Sequence, residues 1–190
     1  MQPNASSTPL KLIFVTLLID VMGIGIIIPI LPQLLKTLGG YTLSEASSMG
    51  AWMLFAFAFP QFLFSPLMGN LSDRFGRRPI IIIALLGMGL DYFFHALAWS
   101  IPVLFVGRVI AGICGASFTT ASSYIADVST PEKRTQNFGL IGMAFGLGFI
   151  LGPVLGGLVA GISTQAPFIL AGTLSVANAL LCYFLSLIHI

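Results

Sequence analysis

The sequence predicts an all-α integral membrane protein, a bundle of six transmembrane helices built as two inverted three-helix repeats. Three observations lead there. Hydrophobic residues make up 57% of the 190 residues and charged residues only 7%, where soluble domains carry about 25% charged residues. Six long apolar runs divide the chain, with short loops between them. Glycine, proline and polar positions of the first three runs recur in the last three.

The first observation sets the solvent. A chain this apolar cannot cover its surface in water, so lipid must surround most of it. The loops leave no room for a water-soluble domain. Cys114 and Cys182 lie in apolar runs and serve as small hydrophobic residues, with no disulfide framework or metal-ligand spacing around them.

The six runs are Leu10–Leu34, Met49–Met68, Ile80–Trp99, Pro102–Ile125, Phe138–Val159 and Phe168–Ile188, each long enough for about 20 helical residues. The first is too long, and too interrupted by Gly and Pro, for a signal peptide. Trp52 and Trp99 fall near span ends, as interfacial aromatics do. Lys11, Arg74, Arg77, Arg78, Lys133 and Arg134 fall on one side of the membrane, and Lys36 alone on the other. The excess of Lys and Arg marks the cytoplasmic side, so both ends of the chain are expected in the cytoplasm of a cell with the bundle in its inner membrane.

The repeat rests on several matches at one offset. Pro66-x-x-Gly69 recurs 87 residues later as Pro153-x-x-Gly156. The same offset places Gly25 over Gly112, Ala84 over Ala171 and Asp91 over Asn178. Three-helix repeats of opposite orientation build each half of a large class of transporters.

Three ionisable residues lie inside spans: Asp20, Asp91 and Arg108. A charge at mid-bilayer costs at least ~2.5–3.5 kcal/mol on insertion scales, so each should face a wet cavity or a partner. One reading is an internal Asp–Arg pair that fixes helix packing; the other is a proton or substrate site. Asp20 lies among Gly23, Gly25, Pro29 and Pro32, where a helix bends easily. A carboxylate in a partly dry cavity takes up protons more readily than one in water, and a proton-coupled carrier needs that property. Arg108 stays charged and would bias Asp20 or hold an anionic substrate group. His95 shares a helix face with Asp91 and is equally readable as an interfacial histidine near the outer end. Gln61, neutral in an aromatic run, is expected to line a cavity.

Two glycine-rich segments stand out. Gly142, Gly146, Gly148, Gly152 and Gly156 form two four-residue ladders, with Pro153, Gly157 and Gly161 alongside; such ladders let helix backbones approach closely in lipid. Gly69-Asn-Leu-Ser-Asp73-Arg74-Phe-Gly76-Arg77-Arg78-Pro79 predicts a tight cytoplasmic turn between the second and third spans. Topology explains its arginines but not Asp73, which is placed to pair with an arginine or a helix N-terminus as a latch.

These residues carry a resemblance. Gly69 through Pro79 resembles the loop 2–3 signature of the major facilitator superfamily. Gly148-Phe-Ile-Leu-Gly152-Pro153-Val-Leu-Gly156-Gly157 resembles its helix-five antiporter motif, and Gly107-Arg108-Val-Ile-Ala-Gly112 its helix-four arginine motif. Within that superfamily Asp20-x-x-Gly23-x-Gly25, Pro29-x-x-Pro32, Asp91-Tyr92, Ser123-x-x-x-Asp127 and Ala166-Pro-Phe168 are similar to the tetracycline efflux proteins. The resemblance implies proton-coupled export of a tetracycline–divalent metal complex, such as one carrying Mg2+, with no cofactor. It implies that Asp20, Asp91, Arg108 and Gln61 lie on the transport path. It also implies that Asp73, Arg77 and Asp127, with Gly69, Arg74, Gly76 and Arg78, form a cytoplasmic gating network.

The family has twelve helices, so residues 1–185 are expected to be its N-terminal six-helix bundle, with the C-terminal six-helix half as a partner that this chain lacks. Residues 186–190 do not resemble the family's polar linker and are read as a truncated or non-native end. Alternative cargoes, another lipophilic drug or a metabolite, fit the same fold. A non-transporting membrane scaffold is a remoter reading. No ATP-binding loop and no nucleophile–base or metal constellation occurs in the sequence, so neither an enzyme nor a nucleic-acid binder is expected.

Overall fold

The computed structural model describes residues 7–115 and 117–186, with side chains described for residues 10–115 and 117–184. Among the described residues eight helices make six crossings: α1 (Ser7–Ile27), α2 (Leu31–Gly39), α3 (Leu43–Phe75), α4 (Arg77–Leu97), α5 (Ile101–Cys114), α6 (Ser117–Val128), α7 (Arg134–Ala160) and α8 (Ala166–Ser186). α5 and α6 lie end to end and form the fourth crossing together, while α2 is too short to cross.

Three expected boundaries move. The first apolar run is not one helix: α1 stops at Ile27, because Pro29 has no N–H with which to continue the ladder. Ile30 closes a tighter turn on the Ile27 carbonyl at 2.9 Å, and Pro32 opens α2. α2 buries Leu31, Leu34 and Leu35 and ends at Gly40, whose left-handed φ of 65° brings its N–H to the Lys36 carbonyl.

The second crossing is longer than expected at both ends. Thr42 and Glu45 cap its start reciprocally: Glu45 accepts from the Thr42 N–H at 2.9 Å, and Thr42 Oγ1 accepts from the Glu45 N–H at 3.4 Å. The far end runs on through Asn70 to Phe75, so the expected turn at Gly69–Pro79 narrows to Gly76 alone. Gly76 adopts φ 94°, a conformation that favours glycine. Gly69 is helical, and no atom outside its own surroundings stands within 4 Å of where its Cβ would be.

The fourth run breaks near its middle. The Gly115 N–H turns to the Gly112 carbonyl at 3.2 Å, which ends α5. The expected end segment 186–190 lies almost wholly outside the described residues, which stop at 186.

Packing follows the repeat. α1 lies against α7, α3 against α5, and α4 against α8, so the first and fifth crossings meet as the fourth and second do. Matched glycines sit in the two equivalent seams. A Cβ on Gly25 would lie 3.0 Å from the Gly148 carbonyl oxygen and 3.3 Å from Gly152 Cα. A Cβ on Gly112 would run into the Phe57 carbonyl and lie 3.1 Å from Pro60 Cβ. Asp91 and its counterpart Asn178 are both buried, as are Ala84 and Ala171.

The core has two storeys. One holds Ile26, Ile27, Leu35, Met53, Met88, Tyr92, Leu104 and Phe168. The other holds Ile13, Leu17, Leu85, Ile125, Ala144 and Cys182. Asp20 lies on α1 between them. Large apolar side chains such as Phe55, Phe62 and Leu63 of α3 and Ile150, Val154 and Leu158 of α7 point outward. Water would penalise that surface by about 25 cal/mol per Å²; lipid does not.

Candidate functional site

Helix rotation in α4 and α5 decides which intramembrane charges meet. Asp91 of α4 forms an ion pair with Arg108 of α5, and the two side chains are 0% and 8% exposed. The arrangement depends on Gly107: a Cβ there would stand 2.7 Å from Asp91 Oδ1. The Arg108 guanidinium also lies over the Phe57 ring, 5.8 Å from its centre. An excellent partner is the condition for keeping either charge buried, since desolvation costs several kcal/mol per ion.

His95 faces inward. It is fully buried, with its ring stacked on Phe168 at 5.6 Å between centres. Its Nδ1 lies 2.9 Å from the Asp91 carbonyl and 3.3 Å from Asp91 Oδ1. The one-turn spacing noted in the sequence thus becomes a cluster of Asp91, His95 and Arg108.

Asp20 is held differently. Its Oδ2 accepts a hydrogen bond from Ser117 Oγ at 2.7 Å, while Oδ1 has no partner. No described cation pairs with it, and Arg108 belongs to Asp91 instead. Among the described residues Asp20 is therefore the buried carboxylate without a counter-charge. Tyr92 is 1% exposed with its hydroxyl unpartnered. Its ring packs against Gly23, where a Cβ would stand 3.1 Å from the tyrosine oxygen.

Tyr92 and Arg108 border a cleft of about 270 Å³, otherwise lined mostly by apolar residues of α1, α2 and α3, Leu31, Leu54 and Phe57 among them. Gln61 lines a separate, wider groove with Ser65 and Thr119. Its Nε2 donates to the Gly115 carbonyl at 2.7 Å, an acceptor left free where α5 ends. Gln61 therefore also has a structural role, because it satisfies the helix break.

At the other end, Arg77 gathers the expected charge network. Its Nη1 reaches Asp73 Oδ1 at 2.5 Å and donates to Ser72 Oγ at 3.1 Å, and its Nε donates to Asp127 Oδ2 at 3.0 Å. Asp73 thus finds its arginine one turn away within the chain. Arg78 turns aside to the Tyr183 carbonyl and ring on α8, and Arg74 lies over Phe75.

The glycine ladders divide. Gly148, Gly152 and Gly156 face α1, where a Cβ on Gly152 would lie 2.8 Å from Gly25 Cα. At Gly142, Gly146 and Gly157 an added Cβ would meet nothing within 4 Å, and Pro153 is exposed, although its ring touches the Gly25 seam. The second ladder therefore packs no helix among the described residues.

Several contributors escaped the sequence pattern: Gly107 as the seat for Asp91, Ser117 as the partner of Asp20, and the buried hydroxyl of Thr120. The signal was a run of hydroxyl residues, Ser117-Phe-Thr-Thr-Ala-Ser-Ser, inside an apolar span. Among the described residues no group of three or more His, Cys, Asp or Glu side chains is placed to hold a metal ion.

Comparison with known proteins agrees with this architecture. The chain is 43% identical over 180 residues to the class C tetracycline resistance protein of Escherichia coli, covering 95% of this chain and 45% of that protein. It is 33% identical to multidrug resistance protein 2 of Bacillus subtilis (strain 168), covering 92% and 44%. Its fold matches the crystal structure of the human organic anion transporter MFSD10 (TETRAN) with a TM-score of 0.79, at 27% identity, over 96% of this chain and 47% of that one. The chain thus spans about half the length of the relatives it matches. Residues 13–188 match the family model of the Major Facilitator Superfamily, and the chain belongs to that family.

Proposed function

We propose that this chain supplies one six-helix half of the translocation path of a proton-coupled drug exporter. In this reading Asp20 carries the coupling proton, and Asp91 with Arg108 forms part of the substrate path. The observation that carries it is the asymmetry of the buried charges: Asp91 has Arg108, whereas Asp20 has only a hydroxyl. A lone carboxylate away from water is lowest in energy with a proton on it, yet must shed that proton when water reaches it. A coupling residue alternates in this way.

The cargo we propose is a tetracycline complexed with a divalent metal such as Mg2+, supported by the 43% identity to a tetracycline resistance protein. The similarity to a multidrug resistance protein favours, as the second reading, export of other lipophilic drugs by the same half-site. The bundle would lie in the inner membrane, with both ends of residues 1–185 in the cytoplasm. It would rock against a second six-helix bundle to give alternating access, with the contacts among Asp73, Arg77 and Asp127 breaking and re-forming during the cycle.

The test is drug-for-proton exchange in inverted vesicles, using this chain joined to the second half of a tetracycline resistance relative. Proton release that depends on tetracycline and magnesium, and is lost in Asp20→Asn, is the expected result. Exchange driven by unrelated lipophilic drugs but indifferent to tetracycline would transfer the assignment to the second reading.

A further inference from the structure

A second polar feature lies below the Asp91–Arg108 pair, in the storey of the core nearer Arg77. Thr16 stands one turn from Asp20 on the same face of α1 and is 2% exposed. α6 runs antiparallel beside it. At one end Ser117 bonds Asp20; at the other, Tyr124 joins Thr16 in the wall of a small cleft of about 60 Å³. Ser117, Thr120 and Tyr124 follow one another three and then four residues apart, so they share a face of α6. Thr120 therefore stands between the Asp20 contact and the cleft.

Thr120 is 1% exposed, and its hydroxyl has no hydrogen-bond partner among the described residues. A helical threonine or serine usually bonds back to the carbonyl four residues earlier, as Ser122 does to Phe118 at 2.8 Å. Thr120 does not. The free oxygen of Asp20 is equally unpartnered. A buried polar group left without a partner is costly, and two of them on adjoining helices call for a functional explanation. α8 completes the seam: Asn178 donates to the Thr16 carbonyl at 2.8 Å, and Cys182 Sγ lies 3.2 Å from Thr16 Oγ1. The cleft beyond is walled by Arg77 and Arg78 as well as by Thr16, Tyr124 and Cys182, and has room for a few water molecules.

We propose that Asp20 exchanges its proton with the cytoplasmic side through this seam in the core of the half-bundle itself, with the Thr120 hydroxyl as the relay. The carboxyl of Asp20 releases its proton toward the Thr120 oxygen, and Thr120 gives its own hydroxyl proton to water in the cleft. The carboxylate left behind keeps the Ser117 hydrogen bond, and the reverse sequence reloads it. The inference rests on the proton-carrier reading of Asp20 given above. The ionisable groups facing the seam are Tyr124 of α6, Cys182 of α8, and Arg77 and Arg78 of α4; Tyr92, Asp91 and Arg108 lie on its outer side, and α7 meets α1 with glycines. At the exit Arg77 is neutralised by Asp73 and Asp127, which leaves Arg78 to repel a resident hydronium, so the proton passes along the water and does not rest in the cleft.

The test uses the chain in lipid nanodiscs and follows hydrogen–deuterium exchange at Asp20 by infrared spectroscopy. The carboxylic C=O band of Asp20 is identified by its loss in Asp20→Asn. We expect Thr120→Val and the smaller Thr120→Ala to slow exchange of that band on the order of a hundredfold, the scale of a positioned proton-transfer group. Thr120→Ser should restore the rate, and Ser122→Ala, on the same helix but bonded to the Phe118 carbonyl, should leave it unchanged. Exchange as fast in both hydroxyl-free variants as in the parent would overturn the relay while leaving Asp20 as the proton carrier. If Asp20→Asn removes no carboxylic band at any pH, Asp20 holds no proton, and the carrier reading falls together with the relay.

Discussion

The Asp91 carboxylate occupies the space a side chain would need at residue 107: a Cβ there would stand 2.7 Å from Asp91 Oδ1. Asp91 cannot yield without leaving Arg108, so Gly107→Ala should disturb the ion pair rather than a neighbouring rotamer. Overpacking of this kind costs about 1–3 kcal/mol. We expect a lower melting temperature in detergent and, on the proposed function, loss of drug exchange by the chain joined to a second half. An alanine variant that melts and transports like the parent would show that the carboxylate can move freely.

The buried pair itself gives a sharper expectation. Asp91→Asn or Arg108→Gln alone leaves one charge buried without its partner, at a cost of about 3–5 kcal/mol. The double variant removes both charges of the pair and should recover most of that stability, while on the proposed function exchange by the joined protein stays lost. A double-mutant cycle on thermal unfolding measures the coupling; additive losses would mean that the pair is not formed in the membrane.

The two glycine ladders of α7 should separate cleanly. Gly152→Ala forces a methyl to 2.8 Å from the Gly25 backbone and should destabilise the bundle by about 1–3 kcal/mol. Gly142→Ala and Gly146→Ala meet nothing within 4 Å and should stabilise it slightly, by up to about 1 kcal/mol of helix propensity. Unfolding in graded denaturant distinguishes them, and equal effects at all three positions would contradict the one-sided α1–α7 seam.

The Arg77 cluster should matter for the cycle and little for stability. Asp73 and Asp127 are 62% and 56% exposed, and exposed pairs contribute about 0–1 kcal/mol. Arg77→Gln should therefore barely shift the melting temperature but, on the proposed function, strongly reduce exchange by the chain joined to a second half. A melting shift much larger than that range would recast the cluster as a structural clamp.

Much of this was legible in residue chemistry. Asp20, Asp91 and Arg108 stand out because a charge in an apolar run has few excuses, and the 87-residue offset matched Gly25 with Gly112, which sit in equivalent seams. Their partners were not legible. Whether Arg108 meets Asp20 or Asp91 depends on how α4 and α5 are rotated, and spacing along one helix carries no information about another.

Boundaries failed for a related reason. Apolarity reports the solvent around a segment, whereas Pro29 and Gly115 act through backbone hydrogen bonds, so the apolar runs continue across both breaks. Conversely, Asn70, Ser72 and Asp73 look like a loop but are helical, because a polar helix end in water loses nothing by remaining wound. Ser117 and Thr120 stayed silent because hydroxyl side chains are common in membrane helices, where each can satisfy itself on its own backbone.

A single residue joins α3 to α4. With only Gly76 between them, neither helix can tilt without dragging the other, since there is no slack in the chain to absorb the difference. Helix α3 runs on for 15 residues beyond Pro60 and 9 beyond Pro66, so its last turns behave as the arm of a crank and Gly76 as its elbow. A small shift at the far end of α3 would reach Arg77, the first residue beyond the elbow, as torque.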